Sequence, residues 1–151
     1  MSRAGSMPVA MLLLAACGSG VVASGGGRPG SQEFTREVRA VPTELVKAAV
    51  AVFGRYGIPI AEADEPAGRL RTVAVDLRSI ARRFDEAPLS CAQGTQRDAN
   101  SRVMFDLKVR RTDDGSAMTM ETKRDGKADC VVRAQFVGSL LDEIAATAGD
   151  R

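Results

Sequence analysis

Asp114-Gly115 is the feature that most narrows what this chain can fold into. The dipeptide suits the left-handed residues of a tight type I′ turn, and alternating runs lie on both sides of it. With these two residues as the turn, Asp113 opposes Ser116 and the rest of the register follows. Lys108 then opposes Glu121, Asp106 opposes Lys123, Val109 opposes Met120, and Leu107 opposes Thr122. Two complementary charge pairs share one face, while Leu107, Val109 and Met120 share the other. Such cross-strand pairs contribute about 0.2–1 kcal/mol each. An antiparallel sheet with one wet and one dry face is expected, its charges either solvating the outer face or forming a binding surface.

The remaining elements arrange themselves around that hairpin. Phe34 to Val41 alternates, with Phe34 and Val38 on one side. Pro42 interrupts, in a position tolerated in the first turn of a helix. Leu45, Ala49, Val52, Phe53 and Tyr56 then share one helical face, with Lys47 and Arg55 elsewhere, and Gly57 is a natural stop. Ile58 to about Ala63 reads as a short extended stretch. Asp64 to Gly68 is turn chemistry, and Leu70 to Leu77 is a strand with Val73, Val75 and Leu77 on one face. A last helix is expected over Val131 to Ala148, its stripe formed by Val132, Phe136, Leu140, Leu141, Ile144 and Ala148. Asp142 and Glu143 fall off that stripe and are expected in solvent. The order β-α-β-β-β-β-α implies an α+β fold, an antiparallel four- to five-stranded sheet with two helices packed on one face.

Composition excludes whole classes of function. The chain of 151 residues has no histidine, which removes Ser-His-Asp and Cys-His catalysis, HExxH zinc sites and the two-histidine iron site. A net charge of +2 lacks the basic balance of a nucleic-acid binder, and 4% aromatics with no tryptophan argue against a stacking platform for bases or sugars. Asp64 and Glu65 are adjacent in a turn, where neighbours point apart and stay solvated rather than cooperate as acid and base. No catalytic residue, metal or cofactor is expected, and the chain is read as a non-enzyme.

The amino-terminal segment carries different information. Arg3 precedes a short apolar run from Pro8 to Leu14, and small residues follow before a cysteine. This is the layout of an export signal, and the run falls short of the ~20 residues needed to span a bilayer. Leu14-Ala15-Ala16-Cys17 resembles a bacterial lipobox. The resemblance implies residues 1–16 as a lipoprotein signal peptide and Cys17 as the acylated first residue of the mature chain. Its partner would be a lipid bilayer; a plain secretory signal and a cytoplasmic chain with an apolar start are the alternatives. Gly18 after the cysteine, in place of an acidic residue, favours the outer membrane, facing the periplasm. Gly18 to about Gln32 is Gly/Ser-rich and reads as a flexible tether, so that 17–33 links the lipid to a single domain over 34–151. About fifteen such residues have a coil dimension of roughly 20–25 Å.

Once Cys17 is assigned to lipid, Cys91 and Cys130 remain as an even pair in an oxidising compartment. A structural disulfide is the leading expectation, ahead of two free thiols or a redox or metal pair, since the spacing is far from CxxC and no histidine is available. Such a bond would staple Cys91, in the long Ser79 to Ser101 connection, to the start of the last helix. Closing about 40 residues contributes ~4 kcal/mol in the chain-entropy model.

The element order, Gly68-Arg69-Leu70-Arg71-Thr72 entering a strand, and the placement of Cys91 and Cys130 together resemble small envelope lipoproteins with a helix-grip domain of the BamC type. That resemblance implies no catalytic motif. It suggests a non-catalytic module docking an unidentified envelope protein, through the outer sheet face and the arginines Arg78, Arg82 and Arg83. The alternative is a carrier of a small apolar ligand between helix and sheet, where Met104, Met118 and Met120 would supply an adaptable wall. A carrier predicts an enclosed cavity of about 300 Å³ or more between the last helix and the hairpin.

Overall fold

Two long antiparallel strands, β7 (Arg102–Thr112) and β8 (Gly115–Arg124), form the spine of the molecule. The structure is a computed structural model and describes residues 22–24, 31–85, 87–91, 102–124 and 130–149. Around the spine the chain adds β1 (Val22–Ser24), β2 (Ser31–Val38), β3 (Ile60–Asp64), β4 (Arg69–Thr72) and β5 (Val75–Asp76). The sheet runs β1-β2-β8-β7-β4-β3, with β5 also on β7, and every pairing is antiparallel. A separate two-stranded ribbon joins β6 (Leu89–Cys91) to β9 (Cys130–Val132). Helices α1 (Pro42–Tyr56) and α3 (Ala134–Thr147) pack on the dry face of the large sheet. The expected α+β class is observed, with a wider sheet than the four or five strands foreseen.

The alternation in β7 and β8 creates the core. Val103, Phe105, Leu107 and Val109 are buried on one strand, and Met118 and Met120 on the other. Phe34 and Val38 of β2, Leu70 of β4, and the apolar stripes of α1 and α3 close over them. Buried Thr72 accepts a hydrogen bond at Oγ1 from the Phe105 amide at 2.9 Å, which satisfies a backbone donor where β4 ends.

The hairpin differs from expectation by one turn position. Thr112 pairs with Gly115, so Asp113 and Asp114 form the turn, and both keep negative φ. A type I′ turn is therefore not made. Gly115 is held in the sheet, where an added Cβ would lie 2.2 Å from the Val38 carbonyl oxygen, so only glycine lets β2 approach there. Val109 faces Met118 and Leu107 faces Met120, a two-residue slide that preserves which side chains point inward. The charge pairs survive as diagonals: Lys108 to Glu121 at 4.0 Å and Lys123 to Asp106 at 3.4 Å.

Helix α1 matches its sequence signals. Pro42 opens it, Glu44 lies in the first turn, and Gly57 at φ 69° ends it. The Gly57 amide donates to the Gly54 carbonyl at 3.1 Å and Ile58 to that of Phe53 at 2.9 Å, the Schellman pairing. Three other expectations are corrected. The strand foreseen from Leu70 to Leu77 breaks after Thr72: Val73 is exposed, and Leu77 instead opens the short helix α2 (Leu77–Ile80), capped by the Asp76 carboxylate. The last helix starts at Ala134, because Val131 and Val132 pair with β6 and the Val132 amide donates to Gln32 Oε1 at 3.1 Å. Finally, parts of the stretch expected to be tether belong to the sheet, since Val22–Ser24 pairs with β2 and β2 itself starts at Ser31.

Candidate functional site

Cys91 is in strand β6 rather than a loop and stands directly opposite Cys130 on β9, to which it is joined by a disulfide. The bond anchors the connection between β5 and β7 just ahead of α3, where a staple was expected. That connection is not structureless. It contains α2, a 3-10 turn at Ala81–Arg83, and β6. Cys17 and the whole of 1–16 lie outside the described residues.

The 3-10 turn brings Phe84 and Asp85 against the end of α1 and the flank of α3 and creates a notch of about 170 Å³. On α3, Phe136, Ser139, Leu140 and Glu143 recur at helical spacing and share one face. From α1 comes Tyr56, at the end of the apolar stripe. The Tyr56 and Phe84 rings lie 4.4 Å apart between centroids, and Phe84 meets Phe136 edge-on at 4.7 Å. Phe136 continues to Phe105 at 6.4 Å, and Phe105 to Phe53 at 5.8 Å. The chain has five phenylalanines and one tyrosine, and all but Phe34 join this run from the surface into the core.

The mouth of the notch is polar and charged. The Tyr56 hydroxyl donates to Glu143 Oε2 at 2.5 Å, and Arg55 Nη2 pairs with Glu143 Oε1 at 2.8 Å. This hydrogen bond, helped by partial burial and the carboxylate charge, raises the Tyr56 pKa above its ordinary 10.0, with Arg55 acting in the opposite direction. Glu143 is thus a half-buried junction between α1 and α3, not the solvated residue its place off the stripe suggested. Asp142, its neighbour, pairs with Arg36 of β2.

The three arginines foreseen as one surface play different parts. Arg83 donates from Nη1 to the Tyr56 carbonyl at 2.8 Å and covers Gly57, so it closes the end of α1. Arg78 and Arg82 are exposed, and their side chains make no hydrogen bond or ion pair among the described residues. Asp64 and Glu65 do not converge: Asp64 Oδ1 accepts from the Ala67 amide at 3.0 Å, and Glu65 faces Lys47 at 3.6 Å. A second open cleft, about 230 Å³, lies on the outer sheet face among Glu62, Arg69, Leu70, Arg71, Asp106 and Lys108. Lys123 bridges Asp106 and Glu121 beside it, and both carboxylates are largely covered rather than freely solvated. Met118 and Met120 are fully buried core residues, and neither of these two clefts lies between α3 and the hairpin.

Tyr56 and Glu143 form a site that sequence reading missed. In the sequence Tyr56 belongs to the apolar face of α1 and Glu143 falls off the stripe of α3, and nothing in the local pattern places the end of one helix beside the flank of the other. Phe84 had no periodic neighbours to flag it.

No protein-family model and no curated protein matches the chain. Among solved structures it is similar to the crystal structure of Ara h 8.0201, with a TM-score of 0.45 and 16% identity over 87% of this chain and 100% of that one. It is also similar to a protein from Rhodobacter sphaeroides, with a TM-score of 0.40 and 16% identity over 85% of this chain and 95% of the other.

Proposed function

We propose that this chain is an exported lipoprotein of the bacterial envelope, held to a membrane through acylated Cys17, whose α+β domain is a non-catalytic binding module for another envelope component. The observation that carries the reading is the Cys91–Cys130 bond. It consumes two of the three cysteines, fits an oxidising compartment, and leaves Cys17 of Leu14-Ala15-Ala16-Cys17 as the one thiol available for lipid. More than one acyl chain there, at ~0.8 kcal/mol per buried methylene, makes attachment stable. No helix among the described residues is long and apolar enough to cross a membrane. On this reading the outer membrane, facing the periplasm, is the site of attachment, and the helix-grip envelope lipoproteins are kin. The exposed Arg78 and Arg82 are the docking residues, while Arg83 drops out because it holds α1.

Fractionation of the producing bacterium tests the anchor. The wild-type chain is expected in the membrane fraction with an acylated amino-terminal Cys17, and a Cys17→Ser variant outside it. Recovery of the full unprocessed chain from the cytoplasm, with Cys91 and Cys130 reduced, overturns the proposal.

A further inference from the structure

We propose that the notch between α1, the 3-10 turn and α3 binds a primary alkylammonium group, its stem on the aromatic floor and its head at the carboxylates. This deepens the binding-module reading and rests on it, but not on the lipid anchor. The floor is apolar: Phe84, Phe136 and Leu140 supply ring and methyl surface to a short aliphatic stem. The mouth presents acceptors. Tyr56 has committed its only proton to Glu143, so its oxygen can only accept from a ligand. Glu143 keeps lone pairs beyond those used by Tyr56 and Arg55, because a carboxylate offers about four acceptor sites. Asp85 is exposed at the rim, and its carboxylate has no hydrogen bond or ion pair among the described residues.

Arg55 offsets the charge of Glu143, and Arg83 is turned to the Tyr56 carbonyl and spread over Gly57, so among the described residues Asp85 is the carboxylate at the mouth without a paired cation. Three acceptor groups over an apolar floor favour a ligand that carries donors and positive charge at one end. An ammonium has three donors and no acceptor, and it is also attracted to aromatic faces within about 6 Å. At about 170 Å³ the space suits a butylammonium-sized group, the size of a lysine side chain, rather than a larger ligand. The source is either a free amine or a lysine of the docked protein, and both share this chemistry.

The chain itself provides the reporter. Tyr56 is its only tyrosine and tryptophan is absent, so emission excited in the tyrosine band comes from the notch alone. The full chain carrying Cys17→Ser is titrated with n-butylammonium and, separately, with Nα-acetyl-lysine methylamide; pentanol and butyrate serve as neutral and anionic controls. A saturable change is expected with the amines, with a Kd in about the millimolar range for so few atoms, together with amide NMR shifts at Ser139 and Leu140. Glu143→Gln and Asp85→Asn are each expected to weaken binding about tenfold, the scale of one charged hydrogen bond. Asp85→Asn leaves the packing untouched, so folding does not confuse its result. Binding of the blocked lysine at least as tight as butylammonium assigns the site to a protein side chain, and binding of butylammonium alone assigns it to a free amine. No saturable response to either amine, an equal response to pentanol or butyrate, or full binding in both variants overturns the proposal. None of these outcomes alters where Cys17 partitions, so the anchor stands or falls separately.

Discussion

At the residue scale, Tyr56 and Arg83 show how two side chains can set the geometry of a whole corner. Tyr56 joins α1 to α3 through Glu143, and that bond raises its pKa. A group with a raised folded pKa contributes stability that is fully present below its unfolded value, here 10.0, and is lost as pH rises through the folded value. Absorbance titration of the single phenol should therefore give a midpoint above 10.0 in the wild type and closer to it in Glu143→Gln. Denaturant midpoints should fall more steeply across that alkaline range for the wild type than for Tyr56→Phe, and identical slopes would remove the linkage. The arginines are separated by stability alone. Arg83→Ala removes the guanidinium closing the end of α1 and should cost about 1 kcal/mol, the net worth of a typical hydrogen bond. Arg82→Ala should fall within about 0.5 kcal/mol of wild type, as surface changes do, when both are measured by urea unfolding.

At the scale of elements, legibility followed the strength of the local signal. Helix α1 was readable end to end because Pro42, the stripe from Leu45 to Tyr56 and Gly57 all agree. The inward faces of β7 and β8 were readable because alternation survives a slide by two, but the register was not. It depends on how closely β2 approaches Gly115, and no local pattern encodes a contact with Val38. For the same reason Val132 was correctly placed in the core but wrongly in a helix: its partners are Leu89 and Gln32, both distant in sequence. The notch was illegible because it exists only where three elements meet. Gly115→Ala tests the register explanation. With φ at 155° and the Val38 carbonyl 2.2 Å from the new Cβ, the hairpin and β2 must part. A loss of about 1–3 kcal/mol is expected, as for strained backbone positions generally. An unchanged thermal midpoint would show that β2 moves aside freely.

For the molecule as a whole, the decisive question is what holds the excursion from α2 to β6 against the helices. Phe84 and Asp85 sit in the middle of it, so the notch exists only while both flanks are fixed. One flank is anchored by buried Leu77 and Ile80, the other by the three-residue ribbon of β6 with β9 and the Cys91–Cys130 bond. So short a ribbon is weak unaided, which makes the disulfide its main restraint. The bond closes a separation of 39 residues, and the chain-entropy model assigns such a loop roughly 4 kcal/mol. A Cys91→Ser/Cys130→Ser double variant should therefore unfold roughly 8–16 °C lower, at about 2–4 °C per kcal/mol for a chain of this length. It should also lose its order unevenly. Tyr56 emission, which senses the Phe84 ring at 4.4 Å, should change on heating before the far-ultraviolet circular dichroism of α1 and the central sheet. In the oxidised wild type the two signals should coincide in one transition. If the variant also melts in a single coincident step, the 3-10 turn is held by its packing alone, and the staple serves stability without shaping the site.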